Sequence, residues 1–457
     1  MASTYLSRTT SSATLATKYT LSFWVKRSKP GADHRIFNNY VDSNNSGQVY
    51  FDASNDYLNL YDVQSGSSAL QLITNRKFRD PNAFMHIVIA VDTTQTTASD
   101  RAKIYINGTQ ETSFSTSNYP SQDSSLSMQG VTASGQRRIG SHNGGGDYFD
   151  GCLAHLNYVD GSALAPTVFG ETDSTSGIWK PKPSPSGVTY GNNGEFLKFE
   201  NSGAMGTDSS GNSNTYTVNG TLTQNVDTPS NNFATLNPLS QTGNFTLSGS
   251  ELPTNGNTVF TGKSSSNYPG FFSTLAASTG KYYAEFKVTS AAQGDSMIGV
   301  SNGLWNNVAL GGSAGSYGSQ DYVYFGYNGN IYTSGSGSAY GSAISLNDIV
   351  QIALDCDNNA MYVGVNDVYQ NSGVPTSGAS KTGAVNLPTS TTGVWHFAVG
   401  DYGGDGVPVI NCNFGSGFFG TTAVTSANSD ANGHGEFEYE VPTGYYALCT
   451  KNIKEFG

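Results

Sequence analysis

Three short strings bound the chemistry this sequence could perform. In Glu436-Phe437-Glu438-Tyr439-Glu440 a carboxylate recurs at every second residue, which puts all three on one face of a strand. Two carboxylates facing each other across a sugar cleft are the equipment of glycoside hydrolysis. Phe437 and Tyr439 alternate with them, so the plainer expectation is an edge strand with both rings inward and Glu436, Glu438 and Glu440 in solvent. Gly311 to Gly315 reads GGSAG, the G-x-S-x-G form of a nucleophile elbow. That elbow needs a strand before it and a helix after it, whereas here the flanks form a Gly/Ser loop. Gly415 to Gly420 reads GSGFFG, but no helical pattern follows to cradle a phosphate. It is expected to be a turn.

The six histidines, His34, His86, His142, His155, His396 and His434, show no metal-ligand spacing. His86, His155 and His396 fall in strand-like runs and are expected to be satisfied structural residues, and His142 is also expected to be structural. The four cysteines, Cys152, Cys356, Cys412 and Cys449, sit beside apolar residues. They are expected to be buried free thiols of a protein made in a reducing cytoplasm. A Cys356–Cys412 disulfide is the alternative.

With no catalytic residue and no metal ligand assigned, the candidates that remain are aromatic. Trp305, Tyr317, Tyr322, Tyr340 and Tyr402 lie in Gly/Ser-rich segments. An aromatic face stacks on the apolar face of a sugar or against a partner chain and leaves a phenol to hydrogen-bond. Asp401 adds a polar contact beside Tyr402. The expected ligand-binding set is Trp305, Tyr317, Tyr340, Asp401 and Tyr402.

The elements that carry these residues read as β-strands. Leu21, Phe23 and Val25 share one face of a strand, and His86 to Asp92 is the continuous apolar run of a central strand. Asn107-Gly108 is a two-residue hairpin signal. In Lys281 to Val288, the residues Tyr282, Ala284, Phe286 and Val288 face one way and Glu285 and Lys287 the other. No sustained helical period appears, and helix should be limited to turns such as Leu164 to Phe169. Charged residues make up 12 % of the 457, and Gly (55), Tyr (27) and Phe (23) are abundant. Aromatic residues fit a pleated sheet and Gly supplies the corners. The predicted fold is all-β, two antiparallel jelly-roll-like sandwiches in tandem over 1–226 and 227–457. The prolines of Trp179 to Gly187 are read as a loop inside the first. Gly194 to Asn201 is read as a late strand able to pair with Thr4 to Thr9.

The net charge of −12 argues against binding nucleic acid through its phosphates or anionic lipid through its headgroups. No apolar run approaches the roughly 20 residues of a membrane span. The N-terminus lacks the pattern of a secretory signal. The short stretch before Tyr5 leaves little room for an anchoring domain.

The strings YLSRT, SFWVKRS, MHIVIAVDTTQ, KIYINGTQ and RIGSHNGGGDYFDGCLAHLNYVDG in the first half resemble laminin-G-like, concanavalin-type lectin domains. SFWVKRS, FRDPNAFMHIVIAVD and ASDRAKIYINGTQ look like the version found in virion proteins of tailed bacteriophages. In the second half, KYYAEFKV, MIGV, DIVQIALDCDNNAMYVGVND, the Asn413-Phe414-Gly415 string and PTGYYAL resemble the SPRY domain, which binds through loops at one end. Some laminin-G-like domains hold a structural calcium; Asp92, Asp100 and Asp147 have suitable loop positions but match no motif, and no other cofactor is expected. The resemblance implies a non-catalytic virion structural protein, made in the host cytoplasm. It would be a tail fibre, spike or capsid-attached appendage contacting other virion proteins and a host-surface glycan or protein, as a homo-oligomer. The alternatives are a polysaccharide depolymerase using Glu436, Glu438 or Glu440, and a purely structural cement protein.

Overall fold

In the computed structural model the described residues are 3–130, 135–240, 252–263, 269–290, 295–304, 310–311, 320–403 and 406–457. The chain divides into two compact units, Met1–Gln224 and Asn225–Gly457. Both are built mainly from antiparallel sheets, so the fold is all-β.

The first unit is a sandwich of two sheets. One runs β10 (Phe114–Asn118), β6 (Ser67–Lys77), β5 (Tyr57–Gln64), β4 (Asn45–Phe51), β3 (His34–Asp42), β11 (Gln136–Ile139), β1 (Tyr5–Thr9) and β16 (Thr217–Asn219). The other runs β15 (Glu195–Leu197), β12 (Gly151–Asp160), β2 (Lys18–Arg27), β7 (Met85–Asp92), β8 (Ala102–Ile106) and β9 (Thr109–Glu111). Leu21, Phe23 and Val25 of β2 enter the common core with Ile87, Ile89 and Val91 of β7 and Phe37, Val49, Leu60 and Leu72 from the opposite sheet. Asn107 and Gly108 both take positive φ, 48° and 80°, and close the β8–β9 hairpin as their types predict.

Gly194 to Asn201 does not pair with the N-terminal strand. Glu195–Leu197 pairs with β12 instead, and both edges of β1 are taken by β11 and β16. The cause is visible in the core. Glu195 is buried, and its carboxylate accepts from Arg8 at 2.7 Å, from Arg137 at 3.2 Å and from the Tyr216 hydroxyl at 2.8 Å. Arg8 and Arg137 are register partners on β1 and β11. Placing Glu195 in the facing sheet lets one carboxylate answer both cations, which a buried charge requires.

The second unit also has two principal sheets. One runs β17 (Val259–Thr261), β29 (Val409–Asn413), β19 (Lys281–Val288), β24 (Ile349–Asp355), β25 (Ala360–Val365) and β26 (Val368–Tyr369), with β27 (Val385–Asn386) on β25 and β34 (Tyr446–Ala447) on β19. The other runs β18 (Gly270–Phe272), β28 (His396–Asp401), β20 (Ser296–Ser301), β21 (Asp321–Phe325), β22 (Asn330–Thr333) and β23 (Ser336–Ala339). Tyr282, Ala284, Phe286 and Val288 enter the core between them, with Ile298, Val300, Phe397 and Val399 from the second sheet. A seven-residue helix, α1 (Thr450–Phe456), ends the chain. The sequence reading missed it because seven residues are too few for a periodic signal.

The outward face of β19 is not in solvent. Tyr283 packs there with Phe437, Tyr445 and Ala447 of the C-terminal segment, and Glu285 is fully buried beside them.

Candidate functional site

The second sheet of the second unit carries an additional apolar layer on its outer face. Strand alternation sends Tyr322 and Tyr324 of β21 toward the core, and Val323 and Phe325 outward. There they meet Phe272, Met297, Leu310, Ala398 and Tyr332. The rings converge on Phe325, with Tyr332 edge-on at 5.3 Å, Tyr402 at 5.0 Å and Tyr327 at 6.1 Å between centroids. Phe325 is buried, whereas Tyr327 is 73 % exposed and Tyr402 45 % exposed. Among the described residues, two exposed tyrosine rings thus rest on one buried phenylalanine.

The segments that hold these two tyrosines are tied down by their own backbones. Tyr327 sits in the turn between β21 and β22, closed by the Gly329 amide donating to the Phe325 carbonyl at 2.9 Å. The Tyr402 amide donates to the Asp295 carbonyl at 2.9 Å. The buried Asp401 carboxylate accepts from the backbone amides of Lys263 at 2.7 Å and Gly403 at 2.9 Å. Burial pushes this carboxyl up to about 6 against those two bonds, with Asp295 adding to the rise. Asp401 therefore acts on the loop and positions Tyr402.

Of the residues expected to bind, Asp401 and Tyr402 are brought together here. Tyr340 is engaged elsewhere: its ring lies edge-on to Tyr324 at 6.4 Å and its hydroxyl donates to the Gly383 carbonyl at 2.8 Å. Tyr322 is edge-on to Trp395 at 6.0 Å. Trp305 and Tyr317 lie outside the described residues, as does Ser313 of the GGSAG string. Tyr327 and Phe325 were missed. The signal for Tyr327 is Asn328-Gly329, a hairpin dipeptide that places the residue before it at a tip.

The acidic string does not form an open row of solvated carboxylates. Only Glu436 and Phe437 are strand, paired with Asn428 and Ser429. Phe437 is buried as expected, but the Glu438 carboxylate accepts from the Thr425 amide at 2.7 Å and from the Thr425 hydroxyl. Of the three acids, Glu440 alone is exposed; Glu436 and Glu438 are half-buried. The Glu438 and Tyr439 amides donate to the Glu285 carboxylate at 2.8 and 2.9 Å. Gly415 to Gly420 makes the expected turn, with Phe418–Phe419 pairing back on Thr422–Ala423.

In the first unit, a serine and a histidine stand at nucleophile–base distance on the outer face of the β2–β7 sheet. Ser22 Oγ lies 2.8 Å from His86 Nε2. The imidazole is stacked at 4.7 Å on Trp24 and at 6.0 Å on Trp179. Trp179 Nε1 donates to His86 Nδ1 at 3.0 Å. An indole nitrogen can only donate, so Nδ1 holds the lone pair and Nε2 carries the proton. His86 then donates to Ser22 and has no lone pair with which to take the serine proton. Burial, with His155 adding to the effect, lowers its pKa to about 3, so the ring is neutral. His86 is thus a satisfied structural residue, as is His396, whose Nδ1 lies 2.8 Å from the Ser273 carbonyl. His155, taken as a strand residue, sits at a bulge in β12 with φ 46°.

The acids considered for calcium are engaged separately. Asp92 pairs with Lys18 at 3.0 Å, Asp100 with Lys103 at 2.9 Å and Asp147 with Arg35 at 3.1 Å. Among the described residues no three His, Cys, Asp or Glu side chains are grouped to hold a metal. None of the four cysteines forms a disulfide; Cys356, Cys412 and Cys449 are buried as expected, whereas Cys152, at the start of β12, is half-exposed, contrary to expectation.

Residues 2–168 match the profile of the Laminin_G_3 family, the concanavalin A-like lectin/glucanases superfamily. A domain of this type points to carbohydrate or protein binding. No curated protein matches the chain in sequence. Similar solved structures include the SPRY domain of human HERC1, at 15 % identity over 39 % of this chain and 96 % of that one, with a TM-score of 0.28. A heptameric SAP-like pentraxin from Limulus polyphemus is 17 % identical over 35 % of this chain and 71 % of that one, with a TM-score of 0.27. Domain 4 of AbnA, a GH43 extracellular arabinanase from Geobacillus stearothermophilus solved with arabinotriose, is 19 % identical over 34 % and 65 %, with a TM-score of 0.25.

Proposed function

We propose that this chain is a non-catalytic binding protein of a tailed-phage virion. In this reading it is a fibre, spike or capsid-attached appendage whose two units contact the host surface or neighbouring virion proteins. The observation that carries the binding part is the aromatic platform of the second unit, where Tyr327 and Tyr402 stand open on the closed Phe325 base. Open aromatic rings fixed from below offer contact area at low entropic cost. The concanavalin-type match of the first unit supports adhesion as well. The virion part rests on the resemblance of the strings around Trp24, His86 and Asn107 to phage versions of that domain. Weak single contacts repeated over many copies on one particle would give the avidity that attachment needs.

The absence of catalysis is supported by two observations. The Ser22–His86 pair has its proton on the wrong nitrogen for a base, and Glu438 is bonded to Thr425.

Mass spectrometry of purified particles tests the virion assignment: the chain is expected among the particle proteins, and its absence would overturn that assignment. Release of reducing sugar from a host polysaccharide by the wild type, lost in Glu438→Gln, would establish the depolymerase in its place.

A further inference from the structure

We propose that the Tyr327–Phe325–Tyr402 platform binds an uncharged sugar ring. The inference rests on the binding role proposed above and names the ligand class of that same surface.

Three observations carry it. The first is shape: among the described residues, two exposed rings, Tyr327 and Tyr402, flank one buried phenylalanine. Around them the chain supplies Gly326, Asn328, Gly329 and Gly403, which add polar backbone and little side-chain area. A stable protein–protein contact needs about 800 Å² per partner with a sizeable apolar centre, whereas two exposed phenol rings suit something the size of one or two pyranose rings. A sugar presents C–H groups to an aromatic face and hydroxyls to its rim.

The second is fixation. Exposed tyrosines usually keep their rotamer freedom, and immobilising them costs affinity. Here the rings lean on Phe325, and the backbone of each is anchored, Tyr402 by the Asp295 carbonyl and by the amides that Asp401 gathers.

The third is charge. The second unit has 6 basic residues against 16 acidic ones and contains no arginine, whereas the first has 16 against 18. Asp401 and Asp295 lie directly beside the platform. A uronate, sialate or phosphate-bearing glycan would meet like charge without a guanidinium fork to receive it. A neutral sugar avoids that repulsion.

Affinity electrophoresis of the full chain through gels containing dextran, mannan or alginate tests this. The wild type is expected to be retarded by at least one neutral polymer and not by alginate. Tyr327→Ala and Tyr402→Ala are each expected to weaken that retardation at least tenfold, and Tyr327→Phe to preserve it. Because Tyr327 is exposed, its alanine variant should melt with the wild type, which separates lost contact from lost fold. Retardation unchanged in both alanine variants, no retardation by either neutral polymer, or preference for alginate would each overturn the inference. None of these results bears on whether the chain is found in particles, so the virion assignment stands or falls separately.

Discussion

Trp179 Nε1 donates to His86 Nδ1 across 3.0 Å, while the two rings stack at 6.0 Å with 22° between their planes. One contact sets both the tautomer and the cover of a strand histidine. Nitrogen-15 NMR should therefore find His86 as the Nε2–H tautomer, with no imidazolium forming between pH 8 and pH 5. The folded value near 3 lies below the ordinary 6.5. The unfolded chain takes up the proton first, so this group contributes stability above about pH 6.5 that is lost as the pH falls toward 3. An imidazolium signal at pH 6 would refute the assignment.

The inter-sheet triad makes a second prediction. Glu195 and Arg137 are both fully buried, with Arg8 almost so. Arg137→Ala leaves the Glu195 carboxylate with less compensation and should destabilise the first unit by about 3–5 kcal/mol, the range for breaking a buried pair from one side. Replacing the cluster with apolar residues of equal volume should cost far less. Denaturant unfolding of both variants distinguishes electrostatic need from simple loss of packing.

Much of this fold was legible because short-range rules govern it. Leu21, Phe23 and Val25 announce a buried face by alternation, and Asn107-Gly108 announces a turn by tolerating positive φ. What escaped depends on contacts distant in sequence. Glu195 reads as a solvated strand residue until Arg8 and Arg137 are seen across the sandwich. Glu285 reads the same way until the C-terminal segment covers it. Trp179 lies in a proline-rich string that reads as a loop, and nothing local says that its ring returns to His86. Of the candidate platform, the sequence named Tyr402, together with Asp401, which holds its loop; Phe325 and Tyr327 were passed over because their strand context hid the outward layer and the hairpin tip.

Gly108 isolates the packing of that same tryptophan. Its φ is +80°, and a Cβ there would stand 2.7 Å from the Trp179 ring. Gly31 has a similar φ of +76° with nothing within 4 Å. Gly31→Ala should lose only the left-handed backbone penalty of about 1–2 kcal/mol. Gly108→Ala should lose that and a further 1–3 kcal/mol for displacing the indole. Equal melting shifts in the two variants would mean that Trp179 yields freely.

Glu285 makes the second unit's stability depend on pH in the direction opposite to most carboxylates. Its side chain is buried, accepts from the Glu438 and Tyr439 amides and the Tyr283 hydroxyl, and lies 3.5 Å from Asn413 Nδ2. Burial raises its pKa to about 7, more than the amide and phenol bonds lower it, and the neighbouring Glu438 carboxylate adds to the rise. Between about pH 4.5 and 7 the folded state therefore binds a proton that the unfolded state has released. Stability from this group is greatest below about pH 4.5 and declines as the pH rises through 7, by up to about 3 kcal/mol. Asp401, also raised, to about 6, titrates in the same direction in both proteins and cancels in the comparison. Glu285→Gln keeps an oxygen for the amides and removes the titration. Its melting temperature should exceed the wild type's at pH 8 and approach it at pH 5. A constant difference across that range would show that Glu285 stays ionised and that the amide bonds outweigh desolvation.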